Sequence, residues 1–203
     1  MYTGTDYYRL DDLLTEEEKL AQKTAREFTN DEVLPLIQEY HRKASFPIQL
    51  VAKMGELGFL GPTLPEKYGC AEMNSISYGL VMQELEKGDS AIRSLASVQS
   101  ALVMYPIFKF GSEDQKDKWL PLLAAGKKIG CFGLTEPDFG SNPAGMLTIA
   151  KKNNGSYVLN GTKMWITNGT IADIAIIWAK LENKVRGFLV EKGTKGFNTN
   201  LIE

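Results

Sequence analysis

Only two of the 203 residues are cysteine and only one is histidine. Cys70 and Cys131 lie far apart and match no metal-ligand or redox spacing, which argues against a disulfide framework, a zinc site or a CxxC centre. Two buried free thiols in a reducing compartment are expected instead. His41 sits in Tyr40-His-Arg-Lys43 at an expected helix end, where a surface histidine suits the helix dipole better than a catalytic one. A dense basic cluster is also lacking: 23 Lys and Arg against 25 Asp and Glu give a net charge of -2 and a pI near 5.6. Nucleic acid is therefore a poor partner. The apolar stretch Ile171 to Ala179 is far short of the ~20 residues that span a bilayer, and Asp173 interrupts it. The start, MYTGTDYYRLDDLL, has neither an apolar secretory core nor basic transit character. A soluble, intracellular (cytoplasmic) protein with no membrane span and no metal is expected. Neither G-x-G-x-x-G nor G-x-x-x-x-G-K-[ST] occurs, which removes the Rossmann and P-loop phosphate sites.

What is present is an ordinary globular composition, 43% hydrophobic and 24% charged, long enough for one large domain or two small ones. The pattern changes near Gly130. Before it the apolar spacing is helical. Thr15-Glu-Glu-Glu18 reads as a capping box opening a helix through Phe28, and Asn30 or Asp31 can start another carrying Leu36 and Tyr40. Pro47 marks a helix start ahead of Leu50, Val51, Met54 and Leu57, and Gly58 can close that helix. Ser75 to Lys87 and Ser90 to Ile107 read as apolar helices, the second ending near Pro106. Ser112-Glu-Asp-Gln115 caps a shorter one holding Trp119, Leu120, Leu122 and Leu123.

After Gly130 the period falls to two. The segments 146–152, 156–159, 163–167, 174–179 and 185–190 read as strands. They are separated by Asn153-Asn-Gly155, Asn160-Gly161 and Asn168-Gly169, which are turn signals before they are glycosylation sequons. The expected fold class is α+β: an all-α domain over 1–130, then an antiparallel β domain over 131–203. The tail Gly196-Phe-Asn-Thr-Asn-Leu-Ile-Glu203 stops without a capping element where another strand should begin, and a truncated chain is expected.

Three stretches could carry chemistry. In Cys131 to Gly145 (CFGLTEPDFGSNPAG), Gly140-Ser141-Asn142 offers backbone N–H groups and a hydroxyl to a phosphate, or simply makes a turn. Glu136 and Asp138 are either an acid/base pair or solvated caps. In Met164-Trp-Ile-Thr-Asn-Gly169, alternation puts Trp165 and Thr167 on one face and Ile166 on the other. An indole and a hydroxyl so placed could meet a planar heterocycle, or be a core tryptophan and a strand-end threonine. Arg93-Ser94 opens an otherwise apolar helix, with Glu84, Glu86 or Asp89 as candidate partners for the arginine.

Leu134-Thr-Glu-Pro137, Gly140-Ser141 and Gly161-Thr-Lys-Met-Trp-Ile-Thr-Asn168, in that order and spacing, resemble the acyl-CoA dehydrogenase family. The likeness runs from Asp6 to the last residue. Met54-Gly-Glu-Leu-Gly58, Ser90-Ala-Ile-Arg-Ser94, Ser97-Val-Gln-Ser100 and Arg186-Gly-Phe-Leu189 are most similar to the glutaryl-CoA dehydrogenase branch. The resemblance implies an FAD enzyme that desaturates an acyl-CoA, glutaryl-CoA or another short one. Electrons would pass to an electron-transfer flavoprotein, and the full-length protein would be a homotetramer. It implies that Phe132, Leu134, Thr135, Gly140, Ser141, Trp165, Ile166 and Thr167 contact FAD, and that Arg93, Ser94 and Ser141 contact the acyl-CoA. The family's catalytic base belongs to a C-terminal helical domain, so it is expected beyond Glu203. One departure stands out: an arginine common in glutaryl-CoA enzymes two residues after the match of Phe46 is Ile48 here. An acyl-CoA oxidase of the same fold and a non-catalytic interaction fragment are the alternatives.

Overall fold

The computed structural model describes residues 7–202. Met1 to Asp6, which include the beginning of the chain's start segment and the first residue of the expected likeness, and Glu203 lie outside the described residues. Seven α-helices come first among these: α1 Glu16–Phe28, α2 Leu34–Arg42, α3 Leu50–Glu56, α4 Ser75–Gly88, α5 Ser90–Ser97, α6 Tyr105–Phe110 and α7 Glu113–Ala124. Five strands follow: β1 Gly130–Gly133, β2 Ile149–Asn153, β3 Ser156–Asn160, β4 Ile174–Leu181 and β5 Lys184–Glu191.

The two capping boxes form as expected. Thr15 Oγ1 accepts the Glu18 N–H at 3.2 Å, and the Thr15 N–H donates to Glu18 Oε2 at 2.8 Å. Glu18 Oε1 also accepts from Asn74 Nδ2, and Asn74 Oδ1 caps α4 through the Ser77 N–H, so one polar cluster starts two helices. Ser112 and Gln115 open α7 in the same way.

One expected helix boundary, after Phe28, is not a break, and another, near Pro106, falls later than expected. Thr29–Val33 and Val98–Met104 are π-helical segments that run α1 into α2 and α5 into α6. The helix expected to end near Pro106 continues to Phe110, because a wider turn precedes a residue that has no N–H to donate. The continuous stretch Ser90–Phe110 is long and apolar enough to cross a membrane by length and composition. Here Ile92, Leu95, Ala96, Val103, Met104 and Ile107 are core residues, as in the central helix of a globular fold.

The sheet is mixed rather than antiparallel, which corrects the expectation. β4 is its centre, antiparallel to β5 along its whole length. Its other edge is shared by β1, parallel over Gly130–Gly133 against Ile174–Ile177, and by β2, parallel where Ile149 meets Lys180. β2 and β3 form an antiparallel hairpin. Parallel neighbours need a long connection, and residues 134–173 provide it between β1 and β4. An alternating pattern carries no information about strand direction.

Segment 163–167 is not a strand either, because left-handed backbone at Trp165 (φ 61°) and Asn168 (φ 65°) breaks the extended run. Its alternation survives in exposure: Trp165 and Thr167 face out while Ile166 packs with Cys131, Ala172 and Ala175. β2 starts at Ile149, not Met146, because the amides of Leu147 and Thr148 donate to Glu136 rather than to a neighbouring strand.

One core fills the helical part around Met54, Phe59, Leu85 and Leu95. A second joins helices to sheet through Met104, Ile107, Leu120, Leu123, Ile174 and Ile176. Buried Gln99 stitches the same junction, accepting from the Gly130 N–H and donating to the carbonyls of Leu123 and Lys128. Cys70 and Cys131 are buried free thiols, and burial pushes both up to about 11.

Gly126, just past α7, has φ +64°, and a Cβ there would sit 2.4 Å from the Val51 carbonyl oxygen. Gly126→Ala is expected to lower stability by about 1–2 kcal/mol for the left-handed conformation alone. The overlap with backbone adds to that. The urea midpoint should fall at unchanged slope, and an unchanged midpoint would show that the turn relaxes freely.

Candidate functional site

Two of the residues singled out from sequence, Ser94 and Thr167, meet at the junction between helices and sheet. A cleft of about 440 Å³ is lined by Phe46, Ser90, Ala91 and Ser94 from the helical part and by Thr167, Asn168, Thr170 and Ile171 from the connection before β4. Ser94 and Thr167, expected on acyl and ring contacts respectively, share this one cavity. The start of α5 is held there by Asp89, whose Oδ1 accepts from the Ala91 and Ile92 N–H groups at 2.9 and 3.0 Å. Asp89 Oδ2 lies 2.7 Å from His41 Nε2, so the lone histidine is an exposed partner of a helix cap. Asn168 is fixed by its Nδ2, which donates to the Gly130 carbonyl.

Arg93 does not line the cleft. Its Nε donates to Glu86 Oε2 at 2.5 Å, and its Nη1 reaches Ser97. Glu86 is thus its partner, while Glu84 pairs with Arg26 and Lys87. Phe46 lines the cleft, whereas Ile48 is 49% exposed outside it. The Phe132 ring packs edge-on against Trp178, with centroids 5.7 Å apart, on the sheet face that meets the helices. Gly140 and Ser141 are exposed, and a Cβ on Gly140 would meet nothing within 4 Å, so that loop is open to an approaching group. Trp165 is 65% exposed despite its size and holds a left-handed backbone; strain of this kind clusters at functional positions.

Glu136 is neither a solvated cap nor half of an acid/base pair with Asp138, which is exposed. It is 4% exposed and accepts from the Leu147 N–H (2.6 Å), the Thr148 N–H (3.0 Å), Thr148 Oγ1, and Lys163 Nζ (2.8 Å). Burial raises its pKa, but Lys163, Thr148 and the two amides outweigh that and hold the carboxyl at about 2. Sequence reasoning missed Lys163 as its partner, although Lys163 lay inside a quoted motif. Thr170 and Ile171 were missed too, and only the path of the chain after Asn168 brings them to the cleft.

A second cavity of similar volume lies between α6 and the β4–β5 pair. It is lined by Arg186, Gly187 and Leu189 of one quoted motif but by none of the residues expected to contact FAD or acyl-CoA, so the first cleft is the better candidate.

The chain matches the model of the acyl-CoA dehydrogenase N-terminal domain over residues 15–127 and that of the acyl-CoA dehydrogenase middle domain over residues 131–203. An acyl-CoA dehydrogenase of Bacillus subtilis (strain 168) is 39% identical over 195 residues, covering 94% of this chain and 52% of that protein. The human mitochondrial short-chain specific acyl-CoA dehydrogenase is 38% identical over 188 residues, covering 90% of this chain and 46% of that one. The crystal structure of a glutaryl-CoA dehydrogenase from Mycobacterium smegmatis in complex with FADH2 superposes with a TM-score of 0.96 at 49% identity, covering 100% of this chain and 52% of the other. The chain thus spans about half the length of the relatives it matches. By these matches and by its helical-then-mixed-sheet fold, the chain belongs to the acyl-CoA dehydrogenase family.

Proposed function

We propose that this chain carries part of the FAD and acyl-CoA site of an enzyme that desaturates a short acyl-CoA. The observation that carries the reading is the single cleft in which Ser94 of the helical part meets Thr167 of the β part. The residues present fit the cofactor. Threonine hydroxyls at 135 and 167 suit the acceptor atoms of a flavin ring, the exposed Trp165 indole offers a flat apolar surface, and the open Gly140-Ser141 turn admits a phosphate-bearing tail. FAD supplies the hydride acceptor, and the protein supplies orientation and electrostatics. Thr135 and Thr167 orient the ring and Trp165 shields its edge. Leu134, Ile166 and the Phe132 backbone shape the wall, and Ser141 meets both FAD and thioester. Ser94, with Arg93 beside it, faces the acyl group, and Phe46 and Ile171 keep water from it.

The 49% identity to a glutaryl-CoA enzyme favours glutaryl-CoA as substrate, and Ile48 in place of an arginine argues for a weaker preference over butyryl-CoA. A soluble intracellular homotetramer passing electrons to an electron-transfer flavoprotein belongs to the same reading.

Reconstitution of the full-length protein with FAD tests it. Thr167→Val should cost one hydrogen bond, about 0.5–1.5 kcal/mol of flavin affinity. Trp165→Ala should cost more by removing a large apolar contact. If both variants retain FAD as the wild type does, the ring lies elsewhere.

A further inference from the structure

The two stretches that carry the proposed flavin contacts, Phe132–Ser141 and Lys163–Asn168, are largely irregular. Past the end of β1, a single backbone hydrogen bond among the described residues joins them, from the Met164 N–H to the Thr135 carbonyl at 2.9 Å. A strand pair would hold Thr135 and Thr167 in register through a ladder, and no ladder exists here.

We propose that the buried Glu136–Lys163 pair is the positioning device of this site, a side-chain clamp that replaces the missing ladder and sets Thr135 against Thr167. The proposal rests on the flavin reading above. Lys163 Nζ donates to the Leu134 carbonyl at 3.0 Å and to Glu136 Oε1 at 2.8 Å, so one side chain grips the first stretch at two residues flanking Thr135. The Met164–Thr135 bond lies between those two grips. Glu136 in turn accepts from Leu147 and Thr148, which anchors the same point to the start of β2.

Both charged side chains are nearly excluded from water, at 8% and 4% exposure. Room is made for the lysine stem by Gly133, where a Cβ would come within 3.3 Å of Lys163 Cγ and 2.6 Å of Ile177 Cδ1. Gly161 lets the chain pass so close to Thr148 that a Cβ would lie 2.7 Å from the Thr148 Cα.

The physics of buried ion pairs fits a role in register better than one in bulk stability. Replacing such a pair by well-packed apolar groups is often neutral, whereas stranding one partner is costly. A slip of either stretch by one residue would strand Lys163 or Glu136 inside the protein, so alternative registers are strongly penalised. Neither side chain is a catalytic residue, because neither lines the cleft.

Lys163→Met and the milder Thr148→Val, which removes one bond to Glu136, test the clamp. Amide exchange of Met164, compared with that of Leu95 in α5, separates local loosening from global destabilisation. Met164 exchange should rise about tenfold more than Leu95 exchange, and FAD binding should weaken with it: about a tenfold loss of affinity and an altered flavin absorption band are expected, the equivalent of one charge-assisted hydrogen bond. Exchange at Met164 that rises only in step with Leu95, with FAD affinity within about twofold of wild type, would overturn the proposal and leave a purely stabilising pair. If Lys163→Met does not fold, Thr148→Val decides by the same comparison. Failure of the full-length protein, with wild-type residues here, to bind FAD would sink the flavin reading, and the exchange comparison would still decide whether the clamp sets the register.

Discussion

The 203-residue chain supplied with FAD and butyryl-CoA or glutaryl-CoA is expected to reduce an artificial electron acceptor at least about 10²–10⁴-fold more slowly than a full-length relative, the usual contribution of a general base. Desaturation begins with loss of a proton next to the thioester carbonyl, and that proton needs an acceptor within hydrogen-bond reach. The cleft offers hydroxyls on Ser90, Ser94, Thr167 and Thr170 and the amide of Asn168, none of which is a base near neutral pH. Three carboxylates carried by the segments that form the site, Glu86, Asp89 and Glu136, are committed elsewhere. Glu86 accepts from Arg93 and from Ser90 Oγ, which lower its pKa and make it a weaker base. Asp89 caps α5 and pairs with His41. Glu136 is held at about 2 within the clamp. Turnover by this chain at rates normal for the family would show that one of these groups does move to the substrate.

The second expected result is an acid-labile fold whose lability resides in Glu136. Its folded pKa is depressed, from an ordinary 4.5 to about 2. Its contribution to stability is therefore complete above pH 4.5 and is lost as pH falls towards 2. At about 1.4 kcal/mol per pH unit, that contribution is about 3 kcal/mol. Urea unfolding between pH 6 and pH 2.5 should show most of this loss in the wild type. The double variant Glu136→Gln/Lys163→Met, which removes both charges, should be flatter by nearly that amount. Parallel pH profiles for the two proteins would mean that other carboxylates carry the acid sensitivity. Glu18, lowered by its Thr15 backbone bond and by Asn74, is the next group to examine.

Much of the helical part was legible because its signals are local. A capping box depends on residues three apart, so Thr15 with Glu18 and Ser112 with Gln115 could be read directly and are present as expected. The helices carrying Val51 and Met54, or Trp119 and Leu123, follow from apolar spacing for the same reason. What failed was the joint between the first two helices. Continuity through Thr29–Val33 depends on packing, such as Thr29 Oγ1 donating to the Glu84 carbonyl and Gly88 lying under the Thr29 side chain, which no local pattern encodes.

By itself the sequence determined the family, the helical-then-sheet order, and which short motifs carry polar groups in an otherwise apolar setting. Those are matters of residue type and spacing along the chain. The tertiary structure alone decided strand direction, since β1 and β4 became parallel neighbours only through the long excursion between them. It also decided that Ser94 and Thr167 share a cleft while Arg93 turns aside to Glu86. And it turned Glu136 from an apparent surface acid into a buried anion, because the desolvation of a carboxylate is tolerable only where Lys163, Thr148 and two backbone amides converge from distant parts of the chain.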